Sequence, residues 1–321
     1  MIVVTGGAGF IGSNLIKGLN LRGLRDILVI DDLTQGKKCA NLSGLDIADY
    51  MDKNEFLQCL LTKKHPFKID ALFHQGACTD TTEWDGRYLM EVNYTYSKHL
   101  LHECLERNTP FIYASSASVY GRGACFIEAR EHEHPLNMYA FSKFQFDQYV
   151  RSIATPKSQV VGLRYFNVYG PGEAHKEKMA SVIFQLNAQL GQGETIQLFG
   201  GCDGYGDGEQ LRDFVYVDDV VAVNLWLFDN PSISGIYNLG TGCAQTFNTI
   251  AKTIISFHGR GKIEYIPFPA PLMNAYQSYT QADMTRLRMQ GYAGSFTPID
   301  RGIPNYLHWL KTVGITSSHE E

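Results

Sequence analysis

The chain has 321 residues, 44% of them apolar, enough for one large domain or two interlocked ones with an ample core. Its net charge of −5 excludes a general affinity for nucleic acid or an anionic membrane, so any phosphate site has to be local, built from backbone amides and a few lysines. No run of about 18 apolar residues marks a membrane span, and the seven cysteines, odd in number and without a CxxC pair, argue against a disulfide framework or a metal site.

Met1 runs straight into an apolar strand, which leaves no room for a signal peptide; the expected setting is the cytoplasm, with reduced thiols. Strands are predicted at Ile2–Thr5, Ile27–Ile30, Ala71–His74, Phe111–Ala114 and Val160–Leu163, with amphipathic stretches such as Tyr94–Leu105 and Phe141–Ile153 between them. Continuous apolar strands separated by helices imply an α/β chain whose parallel sheet is buried on both faces, a Rossmann-type doubly wound fold. After Pro171 the pattern changes. Gly172 to Arg212 shows no clean alternation, Gly200 to Gly208 reads as a flexible loop, and Phe214–Val217 and Ile236–Leu239 read as returning strands. The expected division is residues 1–170 as a dinucleotide-binding domain, with returning segments near 212–240, and 171–321 as a smaller α/β substrate domain. Thr316–Glu321 reads as a frayed polar tail.

The first strand runs into Gly6-Gly7-Ala8-Gly9-Phe10-Ile11-Gly12. These glycines fit both the dinucleotide fingerprint and its short-chain reductase variant: they allow a tight turn and let a pyrophosphate approach the amino end of the helix beginning near Phe10. Asp31 ends the next strand 19 residues beyond Gly12, which is the context the motif requires. Asp31 and Asp32 offer acceptors to an adenosine ribose, which favours NAD, whereas Lys37, Lys38 and Lys53 offer charge to a 2′-phosphate, which favours NADP. These residues by themselves leave that choice open.

Ser116 lies at the carboxyl end of the Phe111–Ala114 strand, where ligands of open parallel sheets bind. Tyr139 and Lys143 follow, four residues apart and about 40° apart around a helix axis. The types suit alcohol–ketone chemistry. A phenol can lose and regain a proton, but its ordinary pKa of about 10 needs a neighbouring cation to favour the phenolate. Ser116 can donate to a substrate oxygen, and Lys143 can also anchor a nicotinamide ribose. Arg212, ahead of the Phe214–Val217 strand, can clamp a diphosphate with paired donors or form a structural carboxylate pair. His74 reads as a packing residue, and Trp84 as either pocket wall or core.

On these residues the chain resembles the extended short-chain dehydrogenase/reductase family of nucleotide-sugar enzymes. Within it, Met1–Asn14, Gly76-Ala77-Cys78, Thr82–Gly86, Ser142–Phe144, Arg164–Pro171 and Tyr276–Asp283 resemble the ADP-heptose 6-epimerase group almost end to end. The Trp84 and Tyr276 strings are specific to that group; the glycine and YxxxK motifs are not. The resemblance implies NADP held tightly and recycled, with contacts at Gly6, Gly9, Phe10, Ile11, Gly12, Asp31, Asp32, Lys38, Lys53, Gln75, Gly76, Ala77, Cys78, Thr79, Lys143, Val168 and Lys176. It makes Ser116, Tyr139, Lys143 and Lys176 the catalytic set. It puts an ADP-heptose against Asn167, Phe199, Gly200, Gly201, Cys202, Arg212 and Tyr276. Val92, Lys178 and Gln185 stand where these relatives carry Asn, Ser and His. Lys178 and Gln185 are still taken as substrate-side positions, Lys178 as a possible contact to the substrate diphosphate. The Asp203–Glu209 stretch is longer than in those relatives. A homo-oligomer, a pentamer, is implied, as is a bacterial cytoplasm and the building of the lipopolysaccharide inner core.

Inverting an unactivated carbinol carbon needs transient oxidation, here to a 6-keto sugar, because its C–H is not acidic. The two sugar orientations put the oxygen in two places, which gives Lys176 a use as partner to Tyr139. A 4,6-dehydratase is disfavoured because Ala117-Ser118 follows Ser116, where those enzymes carry Asp-Glu. A UDP-hexose 4-epimerase would retain Tyr139 and Lys143 but give no use to the Trp84 and Tyr276 strings. A non-catalytic NADP-binding regulator usually loses the tyrosine or the lysine, and this chain has both.

Overall fold

A computed structural model describes residues 1–63, 67–153, 156–269 and 276–314. The expected polar tail, Thr316–Glu321, lies outside the described residues. The chain opens with β1 (Ile2–Thr5), α1 (Phe10–Leu21), β2 (Ile27–Asp31), β3 (Asp49–Asp52), α2 (Lys53–Leu61), β4 (Ala71–His74), a short α3 (Gly86–Leu89) and α4 (Tyr96–Arg107). Then come β5 (Phe111–Ser116), α5 (Met138–Ser152), β6 (Val160–Tyr165) and β7 (Asn167–Tyr169). The remainder is α6 (Val182–Gln192), β8 (Thr195–Phe199), β9 (Leu211–Tyr216), α7 (Val217–Asp229), β10 (Gly235–Leu239), β11 (Ala244–Thr246), α8 (Phe247–His258), β12 (Lys262–Ile266), α9 (Thr285–Met289) and α10 (Ile299–Thr312).

Seven strands form one sheet in the order β10-β6-β5-β4-β1-β2-β3, parallel at every pairing. Alternate residues leave by opposite faces. Val4, Phe73 and Ile112 enter one core with Leu15 and Leu19 of α1 and Val220 and Val223 of α7. Val3, Leu72 and Phe111 enter the other with Phe56, Leu100, Leu101 and Phe146 from α2, α4 and α5. Helices on both faces of a parallel sheet make this the Rossmann-type doubly wound α/β fold.

The five strands predicted in the first half are all present, lengthened by up to two residues at their carboxyl ends. The reading after Pro171 needs correction. Gly172 to Arg212 does alternate: it holds α6, buried through Ile183, Leu186 and Leu190, and β8, whose Ile196 and Leu198 point inward. Gly191 and the polar Gln and Asn residues of α6 obscure a stripe that tertiary packing completes. The predicted Phe214–Val217 strand is the end of β9, and Val217 already starts α7. Only β10 rejoins the large sheet; β9 is the centre of a three-stranded sheet, β11-β9-β7. A pair of parallel strands, β12 and β8, stands apart. α6, α8 and α10 pack on these strands through a third core that includes Ile250, Ile254, Tyr306 and Leu310.

Candidate active site

The carboxyl ends of the parallel strands open onto a trough that begins at the glycine turn. Gly6 sits at φ +66°, and a Cβ there would lie 2.5 Å from the Gly76 nitrogen. A Cβ on Gly12 would lie 2.1 Å from the Gly6 carbonyl oxygen. Only glycine fits where two backbone segments cross this closely. No side chain caps α1, so its first amides have no capping partner, and Phe10, Ile11 and Gly12 line the trough.

Above the turn lies a cavity of about 510 Å³ with Asp31, Asp32, Lys38, Lys53 and Tyr88 among its walls. Asp31 is almost fully committed. Its Oδ2 accepts from the Ala8 amide at 2.8 Å, and its Oδ1 from the Asp32 amide at 2.7 Å and Lys38 Nζ at 3.0 Å. Lys53 Nζ donates to Asp32 Oδ2 at 2.6 Å, and this bond, with those from Thr34, holds the Asp32 carboxyl well below the usual range. Lys37, counted with these lysines from its position, is 76% exposed and pairs instead with Glu177 at 3.4 Å. Val92 lines the cavity where an asparagine was the family expectation.

The next cavity, about 400 Å³, contains Gly9, Phe10, Ile11, Gly12, Gln75, Thr79, Lys176 and Lys178, and shares Gly6, Asp31, Lys38, Gly76, Ala77 and Cys78 with the first. Lys178, expected at the substrate diphosphate, therefore faces the glycine-turn cavity, with Asp80 close by. The two lysines share one short helical segment, kinked between them by Glu177 at φ +50°.

A third cavity, about 350 Å³, continues from the second through Phe10, Ile11, Gln75, Ala77, Thr79 and Lys176, and adds Ser116, Tyr139, Lys143, Asn167 and Val168. Ser116 ends β5; its Oγ accepts from the Ser118 amide at 3.2 Å and the Ser118 hydroxyl at 2.9 Å, which leaves its own proton to give. Tyr139 stands in the first turn of α5, whose start is capped by Asn137. Burial pushes the Tyr139 phenol up, and a hydrogen bond with Ser116 opposes that. Lys143 donates to the Ala114 carbonyl at 2.9 Å, and burial brings its ammonium down to about 8, against the pull of Asp147 and Cys78. The contribution expected from Lys143 is not what lowers the phenol here: the ammonium's bond goes to the strand backbone. Lys176 reaches the cavity from another wall, its Nζ 5.8 Å from the Phe10 ring centroid, and burial lowers its pKa against the opposing charge of Glu173.

A fourth cavity, about 390 Å³, adjoins the third through Val182 and Phe247 and is lined by Gln185, Phe199, Gln210, Arg212 and Tyr276. Arg212 is 8% exposed and stacks over the Tyr276 ring at 4.8 Å. Among the described residues it forms no ion pair, so the structural carboxylate pair considered from sequence is not found; the neighbouring Asp213 is taken up by Thr241, Gly242 and Ala282. Gly200, Gly201 and Cys202 stand behind this cavity: the Gly200 carbonyl and Cys202 Sγ both accept from Gln210 Nε2, and the Gly201 amide donates to Asp207. Trp84 is neither wall nor core; it is 66% exposed. His74 is packed as expected, with Thr5 Oγ1 at 2.6 Å and Ser97 Oγ at 2.7 Å.

Sequence reading missed Leu57, Tyr88, Tyr96 and His99 on the first cavity. Leu57 comes from α2 and Tyr88 from α3, while Tyr96 and His99 of α4 directly follow a π-helical turn at Met90–Thr95. Such turns carry no spacing signal that a reader can count.

The residues fit a dinucleotide. Gln75 Nε2 is buried without a partner on the wall of two adjoining cavities, so a donor is free for a ligand there. The bare glycine turn and the two lysines beside Asp31 and Asp32 suit its phosphates. Fold and trough are those of a Rossmann-type dinucleotide-binding enzyme.

The chain belongs to the NAD dependent epimerase/dehydratase family, matched over residues 2–240. It is similar to Helicobacter pylori ADP-L-glycero-D-manno-heptose-6-epimerase, at 33% identity over 97% of this chain and 96% of that one, with a TM-score of 0.83. It is also similar to a UDP-glucose 4-epimerase of Thermotoga maritima solved with UDP-glucose, at 25% identity over 97% and 99% of the two chains and TM-score 0.80. A UDP-N-acetylglucosamine 4-epimerase from Methanobrevibacter ruminantium M1, in complex with UDP-N-acetylmuramic acid, matches at 25% identity over 97% and 98%, TM-score 0.83. Among the described residues no helix is long and apolar enough to cross a membrane.

Proposed function

We propose that the protein inverts C6 of ADP-D-glycero-D-manno-heptose to give the L-glycero epimer, using bound NADP. The observation that carries this reading is that Tyr139 with Ser116, and Lys176, face one cavity from separate walls. An epimerase that turns its ketone over needs a proton handler for each orientation, and this cavity offers two. The heptose epimerase neighbour at 33% identity supports the substrate. Lys38 and Lys53 support the 2′-phosphate of NADP.

NADP, when bound, supplies the reversible oxidation that makes C6 invertible. The chain's residues do the rest. Tyr139 takes the proton from the substrate hydroxyl in one orientation and returns it, with Ser116 donating to the same oxygen. Lys143 holds the ribose beside the reacting ring. Lys176 serves the oxygen in the other orientation; its burial brings it toward the range in which an amine exchanges protons. Arg212 and Tyr276 hold the diphosphate and nucleoside, with Asn167 nearer the sugar. A homopentamer, a cytoplasmic setting and a role in the lipopolysaccharide inner core belong to the same proposal.

The test is incubation with the ADP-heptose and NMR assignment of the C6 configuration, alongside mass spectrometry of the nucleotide released on denaturing the purified protein. Inversion at C6 and release of NADP are expected. Inversion at C4 of UDP-glucose or UDP-N-acetylglucosamine, with the heptose untouched, would replace this reading with a UDP-sugar 4-epimerase.

A further inference from the structure

Below the reacting pair, α5 carries a third polar residue on the same face. Tyr139, Lys143 and Asp147 follow at intervals of four, one above another. The three meet β5 in order. Asp147 Oδ1 accepts from the Tyr113 hydroxyl at 2.9 Å and Oδ2 from Ser115 Oγ at 2.9 Å. Lys143 donates to the Ala114 carbonyl between them, and Ser116 meets Tyr139 above. Four consecutive strand residues thus engage three helix side chains.

Asp147 is 0% exposed, and Arg164 of β6, also fully buried, donates its Nε to Oδ2 at 3.0 Å and forms an ion pair with it. Arg164 is shared with Glu133, which Arg151 also holds. An ion pair this deep rarely stabilises a fold more than apolar packing of the same volume would. Its place directly under Lys143 gives it another use.

We propose that Asp147 is a positioning residue of the reaction, acting through Lys143: its carboxylate anchors the helix face to β5 and fixes the ammonium at the height from which Tyr139 reaches Ser116. This rests on the function proposed above. Lys143 is faced by Asp147 from its own helix, by Cys78 from the segment after β4, and by His74 of β4. His74 is neutral, its pKa pressed down to about 3 by burial. Asp147 in turn faces Tyr113 of β5, Arg164 of β6 and Arg151 of α5. Asp147 is therefore the acidic carboxylate that favours the Lys143 ammonium, and removing it lowers the pH at which that proton leaves.

The experiment compares Asp147→Asn with Glu133→Gln in the full chain. The Lys143 ammonium is titrated by NMR in lysine-labelled protein without substrate, and the pH profile of epimerisation is recorded. In Asp147→Asn both ionisations should move toward acid by about one pH unit. Glu133→Gln should lower the melting temperature and leave both in place. Should Asp147→Asn not fold, Asp147→Asn/Arg164→Gln removes the two charges together and should give an acid shift of the same sign, smaller because the Arg164 cation is gone as well. A Lys143 titration unmoved in Asp147→Asn or in the double variant overturns the proposal. A normal shift in protein that epimerises no nucleotide sugar supports the positioning role and sinks the function reading alone.

Discussion

Lys53 stands across the first cavity from Asp32, its ammonium 2.6 Å from Oδ2. Burial is the largest influence and works against that ammonium, yet the Asp32 bond together with the charges of Asp32, Tyr88 and Asp52 leaves the Lys53 pKa raised. Lys38 likewise touches Asp31 at 3.0 Å. Each lysine is therefore held at the cavity wall against an acid. A 2′-phosphate would draw both ammoniums by charge-assisted bonds, whereas a plain ribose would rely on acids that are already occupied.

The expected preference is for NADP. Lys53→Ala and Lys38→Ala should each weaken NADP binding by about tenfold or more, a charge-assisted bond being worth roughly 1.5–3 kcal/mol, and should leave NAD binding nearly unchanged. Titration of apo protein with each nucleotide, followed by intrinsic fluorescence, measures both. Equal losses for the two cofactors would contradict the assignment.

Tyr139→Phe keeps the ring and removes the proton. Turnover should fall by about 10²–10⁴ with cofactor binding retained, the usual range for a lost acid–base group. Lys176→Met should slow epimerisation by a comparable factor if two groups serve two orientations. Its nicotinamide should still be reduced on substrate binding when the first oxidation uses Tyr139 alone. Full epimerase activity in Lys176→Met would remove the two-base mechanism while leaving the redox site intact.

His74 gives a stability prediction with a definite sign. Its folded pKa is about 3, lowered by burial and then by the charge of Lys143, against 6.5 in the unfolded chain. Between those values the unfolded state binds the extra proton, so stability rises with pH across about 3 to 6.5 and falls as pH drops. At roughly 1.4 kcal/mol per unit the cost at low pH amounts to several kcal/mol. Melting temperatures of the native protein from pH 4 to 7 should climb, and His74→Gln should flatten the climb. Equal slopes in both proteins would assign acid sensitivity to other groups.

What could be read in the chain was local. The glycine turn, Asp31 at its spacing, and Tyr139 with Lys143 are all set by short intervals on single elements, and each lies on the trough. The use of Asp31 was not legible. Its carboxylate binds the Ala8 amide, a loop closure that counting residues does not reveal. Asp147 is sequence-adjacent to a recognised motif, yet its meaning comes from Tyr113, Ser115 and Arg164 on two other strands. Lys178, taken as a substrate-side position because relatives carry Ser there, lines the glycine-turn cavity, one residue past the kink at Glu177. α6 and β8 were missed because their apolar faces are short and complete only against α8 and β12.

Arg212 is the last test, and the sharpest for the substrate side. Burial lowers its pKa, and among the described residues no carboxylate compensates its charge. A buried guanidinium without an anion costs stability, and its stacking on Tyr276 recovers only part of that, about 2 kcal/mol at most sites of this kind. An incoming diphosphate would supply the missing charge through paired bonds. ADP should therefore raise the melting temperature of the native protein strongly. Arg212→Met should leave the ligand-free protein as stable or slightly more so, abolish the ADP shift, and raise KM for the nucleotide sugar about tenfold or more, with NADP binding untouched. If Arg212→Met instead destabilised the free protein by several kcal/mol and kept the ADP shift, the arginine would be a structural residue and the diphosphate would have to bind elsewhere.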